Sequence, residues 1–560
     1  MNAKPRIRVR ADGSIPKGQA YFGPAGGNYG LGGRAYDAGR YDVRGLHDWW
    51  PTINHPDGEV LLSRDKITAR ARDLDRNHPI ISGAIDRREE MVVGPNIRLE
   101  AQPDFEALGK TADWADEWAT GVEARFRVWG RDHRHLNDVE RHSTFGMQVA
   151  TAYRHWWVDG EACAAIYDLK RGSSYSTSVK LIDPDRLSNP NGLGNGMRLA
   201  GNGNRCIGGV EIDENGAPVA YWIRVRHPAD VTPDGDNFRW ERILAENPTT
   251  GRPRFVHAYK RNRAEQRRNV SRMVASLRKT RMFDQYDDAE LEAAMFNAVN
   301  AGWVESPYPT KDVGEAMAPP GDGDHHRWSL EGQIEYRRER PVHLKGLRVF
   351  HGLPGEKFNI VNAARPSPHY PDFQASGLRS IASQFGLSYP QLANKWDAIN
   401  YSSGRLLMNE IWRGLLHDRW IFTQLYCTPI YAAWLEEDVA LGNTKVPGGP
   451  RAFYRLASAL CMCEWKGPGR GKVDPLKEAS AADLDQASGR TNLSVLADEQ
   501  GQDSRQILLG MVRDKKRREK LGLPDPIYDR ANALDVLDST LRREDAAEHQ
   551  REQDSGEAQK

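Results

Sequence analysis

The chain has 560 residues, 39% of them hydrophobic and 28% charged, with 78 basic against 77 acidic side chains and a formal net charge of +1. Several domains and a real core are expected at that size. The even balance argues against a repressor or histone-like role, which calls for a basic surplus. It does not exclude a channel that DNA slides through, where each added phosphate contact would deepen binding by counterion release and stall movement.

The sixteen Trp suit packing between rigid parts or subunits, and ordinary cores equally well. Cys163, Cys206, Cys427, Cys461 and Cys463 show no metal-ligand spacing. Cys461 and Cys463 flank one residue, where a zinc knuckle places two to four, so all five are read as reduced thiols. No apolar run reaches the ~18 residues that span a membrane, and MNAKPRIRVRADG lacks the apolar core of a signal peptide.

Along the chain, Met1 to about Asp48 is rich in Gly, Tyr and Arg without helical or strand period, and reads as an extended arm that orders on assembly. A phosphate-cradling loop would need a preceding buried strand and a helix opening at its last Gly. Helical pattern begins near Ser63. Pro79 is placed in a first turn after a capping Asn77, and Gly94-Pro95 stops that helix before a strand at Ile97 and Leu99. Further helices are predicted over Thr111 to Trp129 and Phe145 to Val158. Strands follow in ACAAIYDL, SVKLIDP, GVEID and VAYWIRV, divided by turn signals. His227 to Arg254 reads as loop, and RFVHAY as strand.

Val270 to Gly302 carries apolar residues at three- and four-residue steps, which predicts a helix on the order of 45 Å long stopped by Gly302. Ser306 to Pro354 is Pro/Gly-rich, then alternates (GQIEYRRE, KGLRVFHGL, EKFNIVN) as a small β-containing insertion. Phe373 to Phe385 reads as a short helix ended by Gly386, and Leu387 to Ser403 as a turn-rich loop. Arg405 to Leu441 reads as a long helix that Pro429 should kink. Helices over Pro475 to Ala487, Leu493 to Gln500 and Ser504 to Lys516 precede a charged tail, EDAAEHQREQDSGEAQK, expected to be disordered. The fold class is α+β.

Several clusters have a plain reading beside a chemical one. Gly467 to Val473 (GPGRGKV) fails as a nucleotide loop, because three residues rather than four separate its outer glycines Gly467 and Gly471 and Val473 stands where Mg²⁺ needs Ser or Thr; it reads as a structural turn. Asp322, Asp324, His325 and His326 sit side by side in a Gly/Pro loop and read as a solvated turn rather than a metal site. Asp284, Asp288 and Glu292 share a helix face, read as solvated or as meeting basic residues of a neighbouring subunit. The basic clusters Arg261 to Arg268 and Lys515 to Lys520 are read as exposed, solvated charge. No nucleophile–base pair or G-x-S-x-G elbow can be assigned. Catalytic, cofactor and metal residues are therefore none.

From Arg70 to Leu523 the chain resembles the lambda-like phage portal family. The pieces that carry the resemblance are RARDLDRNHPIISGAID, VVGPNIRLE, IGGVEIDENGAPVAYWI, FVHAYKRNRAEQRRNVS, DDAELEAA, LPGEKFNIVNAARP, FGLSYPQL, NYSSGR and GPGRGKVDPLKEASA, in the family's order. Asn269 departs from it, standing where a Gly is usual, and raises the question of a left-handed turn there.

The resemblance implies a ring, typically of twelve copies, at a capsid vertex. Residues 1–62 would be the arm, 63–269 the wing, 270–302 and 371–386 the stem helices, and 303–370 the clip. Residues 387–403 would be the channel loop, 404–442 the kinked long helix, 443–535 the crown and 536–560 the tail. Double-stranded DNA would pass through the ring. The implied partners are other copies of the chain, the terminase large subunit, major capsid and scaffold proteins, and head-completion or neck proteins, with no membrane. The expected location is the virion vertex, and the host cytoplasm during assembly. Asn394, Lys395, Trp396, Asp397 and Asn400 are the candidate channel-facing residues. The rival expectation is a nucleic-acid-processing hydrolase of the packaging apparatus, which needs a Walker motif or a carboxylate metal site.

Overall fold

The computed structural model describes residues 48–304 (apart from 96, 173 and 231–235), 348–351, 369–396, 401–471, 474–523, residue 45 and two short strands near the N-terminus. The chain divides into two units, Met1–Glu59 and Val60–Lys560. In the first, β1 (Tyr21–Phe22) pairs antiparallel with β2 (Asn28–Tyr29), a pairing the aperiodic sequence did not announce. Helix α1 (Pro56–Leu61) follows.

Pro79 decides where the first long helices divide. Its ring forces the preceding residue out of helical geometry, so α2 (Arg64–Asn77) ends and His78, at φ −103° and ψ 108°, caps α3 (Pro79–Val92). The expected cap was Asn77. It stays helical and donates to Asp73 (2.7 Å), while the His78 ring accepts from the Ile81 N–H (3.4 Å). Thr111 and Thr144 cap α4 (Ala112–Gly130) and α5 (Phe145–Val158) through side-chain oxygens.

After β3 (Arg98–Ala101) and these helices, β4 (Glu161–Asp168) lies between β5 (Thr177–Ile182) and β10 (Phe255–Tyr259) in an antiparallel sheet. Six successive residues of β4 are buried, so Ala162 and Ala164 meet the main core while Cys163 and Ala165 meet a second. That second core lies under a four-stranded meander of β6 (Arg205–Ile207), β7 (Val210–Ile212), β8 (Pro218–Arg224) and β9 (Trp240–Leu244). Strand β9 occupies residues expected to be loop. It is a half-exposed edge, and Glu241 and Arg242 break its apolar alternation.

Helix α6 (Val274–Val299) is shorter than expected at both ends. Residues before it are tied to α5, since the Arg272 N–H and the Ser271 hydroxyl both donate to the Trp157 carbonyl. Gly302 does not stop the helix; it lies in β11 (Asn300–Val304), which pairs in parallel with β12 (Arg348–His351). The other insertion strands, and Asp322, Asp324, His325 and His326, lie outside the described residues.

Helix α7 (Tyr370–Phe385) ends at Gly386 in left-handed geometry (φ 59°), as read from the sequence. The segment expected as a loop over Leu387 to Ser403 contains α8 (Tyr389–Ala393), and α9 (Tyr401–Ala440) begins before its expected end. Helix α9 runs through Pro429. It carries Phe422, Tyr426, Ile430, Tyr431 and Trp434, all fully buried, through the main core.

Helix α10 (Phe453–Leu460) and β13 (Cys463–Lys466) follow, neither anticipated. Strand β13 pairs antiparallel with β3, setting Trp465 opposite Leu99, so the chain returns to its early body before leaving it again. Gly467 to Gly471 then makes a structural joint. A Cβ on Gly469 would lie 2.0 Å from the Gln500 carbonyl carbon, so only glycine fits there. Helices α11 (Pro475–Ala487), α12 (Leu493–Glu499) and α13 (Ser504–Leu521) end the described chain; neither α11 nor α13 buries any residue. All five cysteines are free thiols, four of them buried.

Candidate channel segment and the charged root behind it

A reciprocal cap fixes the entrance to the candidate segment. The Ser388 hydroxyl accepts from the Gln391 N–H (3.4 Å), and the Gln391 side chain accepts from the Ser388 N–H (3.0 Å). Pro390 fits the first turn of α8. Asn394 ends that helix in left-handed geometry (φ 53°, ψ 32°), which Asn tolerates better than most residues. Its side-chain carbonyl accepts from Arg87 on α3, and the Lys395 N–H donates to the Pro390 carbonyl (3.2 Å). Lys395 is exposed and Trp396 is 49% exposed. Three of the five candidate residues are thus brought together at the end of α8. Asp397 and Asn400 lie outside the described residues.

Behind this segment, Asp418 of α9 gathers four elements. Arg88 of α3 (2.7 Å) and the Tyr153 hydroxyl of α5 (2.7 Å) donate to one carboxylate oxygen, and Arg272, just before α6, donates to the other (2.5 Å). Arg88 also donates to the Phe385 carbonyl at the end of α7. Trp157 stacks on Phe385 with ring centroids 5.4 Å apart, and lies beneath both guanidinium groups, 4.5 Å from Arg88 and 4.3 Å from Arg272. Burial pushes the Asp418 carboxyl up, but Arg272 and Arg88 more than offset that and hold it at about 2. A cleft of about 470 Å³ opens beside the hub, bordered by Lys260, Gln384, Ser388, Glu410 and His417. The next residue, Arg419, turns the other way. It donates to the carbonyls of Val92 (2.8 Å), Met91 (2.8 Å) and Pro468 (2.9 Å), joining the end of α3 to the glycine joint.

A second charged cluster is buried in the body. Glu161 of β4 is paired with Arg64 (2.9 Å) and with Arg268, and accepts from His257 (3.0 Å). Burial would raise the Glu161 carboxyl, but Arg268 and Arg64 hold it well below its ordinary range. Burial lowers the His257 pKa. Arg268 corrects the reading of 261–268 as solvated charge: it is 2% exposed and also donates to the carbonyls of Leu187, Pro184 and Gly208. An unpaired charge at that depth would be costly, so the arginine forms as many bonds as its fork allows. Asn269 is not left-handed. Its side chain bonds the Val270 N–H and the Lys260 carbonyl, and the positive φ of this turn falls on Glu265.

The other sequence candidates are placed plainly. Asp284 is half-buried and pairs with Arg281 (2.9 Å), while Asp288 and Glu292 are exposed on α6. Lys515, Lys516, Arg517 and Lys520 are exposed on α13. Among the described residues, Asp183, Asp185 and His227 approach one another as metal ligands would. Arg72 already bonds both carboxylates (3.0 and 2.7 Å) and Asp159 (2.8 Å), which fills the site with a cation. No helix of the described residues is long and apolar enough to cross a membrane.

Sequence reasoning did not single out Asp418, Arg88, Arg272, Tyr153 or Glu161. Their signal was present as charge inside apolar runs: Asp418-Arg419 within GLLHDRWIF, and Glu161 heading EACAAIYD.

Comparison with known proteins decides the family. The model of "Phage portal protein, lambda family" matches residues 43–419. The chain belongs to the lambda family of phage portal proteins. It is 28% identical over 529 residues to portal protein B of Escherichia phage lambda, covering 93% of this chain and 94% of that one. The portal protein of Escherichia phage N15 is 28% identical over 514 residues, covering 91% and 92%. A probable portal protein of Halomonas phage phiHAP-1 is 26% identical over 493 residues, covering 86% of each. Among solved structures, the neck of a native gene transfer agent particle, computed with C12 symmetry, aligns over 83% of this chain and all of that one, with 14% identity and a TM-score of 0.35. The family match spans the portal chain from before α1 to the middle of α9. It therefore includes the candidate channel segment, Asp418 and its three partners Arg88, Tyr153 and Arg272.

Proposed function

We propose that copies of this chain, twelve in number, close into a ring at the capsid vertex, and that double-stranded DNA enters and leaves the head through it. The observation that carries this is α6. Its Leu277 and Phe283 are buried in the core, and Phe283 and Tyr286 stack against Phe373 and Tyr370 of α7, yet Met282, Leu291 and Met295 are 58%, 63% and 60% exposed. A helix with apolar residues on both faces needs burial on both. Leu406 and Trp420 of α9 repeat the pattern at 72% and 60% exposure. Side-by-side copies in a closed ring supply the missing surface, because every copy presents the same two faces.

In this reading the body over 63–269 is the wing, and 270–302 and 371–386 are the stem. Residues 303–370 are the clip, where the terminase large subunit and later the neck proteins dock. Residues 443–535 form the crown, and capsid and scaffold proteins meet the outside of the ring. The ring assembles in the host cytoplasm and remains in the virion. ATP hydrolysis belongs to the separate terminase motor, and the ring itself acts through shape.

Asn394, Lys395, Trp396, Asp397 and Asn400 face the channel. Ring symmetry turns one Lys395 per copy into a belt of positive charge around the DNA. The Asp418 hub roots this segment, since it joins α9 to the ends of α6 and α7. Deleting residues 394–400, or making Lys395→Ala, is expected to leave rings intact and to impair DNA packaging or retention in a packaging assay. Full packaging with the segment absent would refute the channel assignment.

A further inference from the structure

The last described helix leaves an amphipathic face without a cover. Leu508, Leu509 and Val512 of α13 are 50%, 58% and 51% exposed, and they lie at the three- and four-residue steps that form one stripe. Towards the helix end the same side turns basic: residues 513–520 hold Arg513, Lys515, Lys516, Arg517, Arg518 and Lys520 against Asp514 and Glu519. None of the helix's own residues is buried, and its ties to the body are polar, from Arg505 to Asp116 (3.0 Å) and Glu123 (3.3 Å). Such ties at a partly exposed site contribute little.

The helix ends at Gly522 in left-handed geometry (φ 65°), with the Leu523 N–H returning to the Arg518 carbonyl. That closure turns a chain back on itself. Pro524 and Pro526 follow, and then Ile527, Ala531, Leu534, Leu537 and Leu541 recur at steps of four and three residues. Asp525, Asp529, Asp535 and Asp538 stand beside that stripe, against a single Arg530.

We propose that the segment Ile527 to Leu541 of the same copy docks on α13 as its antiparallel partner. The lengths match. From Gly522 back to Leu508 is about 21 Å of helix, and from Ile527 to Leu541 is the same at ~1.5 Å per residue. An antiparallel return therefore sets Leu537 and Leu541 level with Val512 and Leu508, Leu534 level with the aliphatic stem of Lys515, and Asp529 level with Lys520 at the basic end. Apolar meets apolar at the start of α13 and acid meets base at its end, which a parallel arrangement would not give. The cover completes the C-terminal helical cap within one copy.

The test is hydrogen exchange read on the peptides of 504–521 in the full chain and in variants. A chain ending at Leu523 is expected to exchange at least tenfold faster there, and one ending at Arg543 to match the full chain. The double variant Leu534→Glu with Leu537→Glu guards against misfolding of the truncated chain. It is expected to reproduce the faster exchange while peptides of β4 and α5 keep their protection. Cross-linking Lys515 or Lys516 to Asp529 or Asp535 in a mixture of ¹⁴N- and ¹⁵N-labelled chains is expected to give links within one isotope only. Unchanged exchange on removing 524–560, or mixed-isotope links showing that a neighbour's segment covers the face, would overturn the proposal.

Discussion

Replacing Asp418 with Asn removes the one carboxylate on which α3, α5, α9 and the root of α6 converge. The side chains of Asp418 and Arg88 are each 5% exposed and that of Arg272 is 20% exposed, so the variant leaves two cations with little water to turn to. Breaking one buried pair of this kind costs about 3–5 kcal/mol. Asp284→Asn is the control. It breaks an ion pair further along α6, with Arg281 62% and Asp284 36% exposed, where the expected loss is below about 1 kcal/mol. Urea denaturation of both variants, at a concentration where the chain does not assemble, measures the difference. The pH dependence gives an independent check. Asp418 titrates at about 2 in the folded chain and near 3.8 when unfolded, so between those values the unfolded state binds more protons and stability rises with pH. Its contribution, roughly 2–3 kcal/mol, is complete above about pH 4 and is lost as pH falls towards 2. Asn at this position removes that acid-side slope. A loss no larger than that of Asp284→Asn, or an unchanged acid limb, would refute the reasoning.

Glu161→Gln is expected to destabilise the body by about 3–5 kcal/mol and to lower soluble yield, because Arg64 and Arg268 lose their shared partner; thermal unfolding of the soluble fraction measures it. Glu123, pushed up by burial to about 7, behaves oppositely to Asp418. Between about pH 4.5 and 7 the folded chain holds the extra proton, so this group's contribution is present at low pH and lost as pH rises through 7. Glu123→Gln should abolish that slope in denaturation followed from pH 5 to 8. Gly469→Ala is expected to loosen the glycine joint, raising hydrogen exchange in α12 and α13 while leaving β4 and β5 protected, because a Cβ there meets backbone atoms of Gln500.

Much of the architecture was legible wherever a local rule acts alone. Phe145 to Val158 and Pro475 to Ala487 were read to the residue, because Thr144 and Asp474 are strong caps and Pro475 fits a first turn. Tertiary structure overrode the rest. Strand β9 is polar because it is an edge held by Arg242 bonding Glu211 (2.8 Å), a partner distant in the sequence. Strand β13 exists because β3 offers it an edge, and nothing local encodes that meeting. Helix α6 starts late because Arg272 is drawn back to Trp157 and Asp418. The candidate channel residues were found through resemblance, while the charges that root them were hidden because a buried ion pair and a solvated one look alike in sequence. Arg268 shows this most clearly: it closes a run of basic residues that reads as surface, and it is among the most deeply buried side chains in the molecule.

The most direct measurement is cryo-electron microscopy of the purified full-length chain, followed by reconstruction without imposed symmetry. The account predicts annular particles of twelve copies, with Met282, Leu291 and Met295 of α6 buried between neighbours and Lys395 lining a central hole. Single copies alone, even with capsid and scaffold proteins present, or rings in which Met282, Leu291 and Met295 remain exposed, would contradict it.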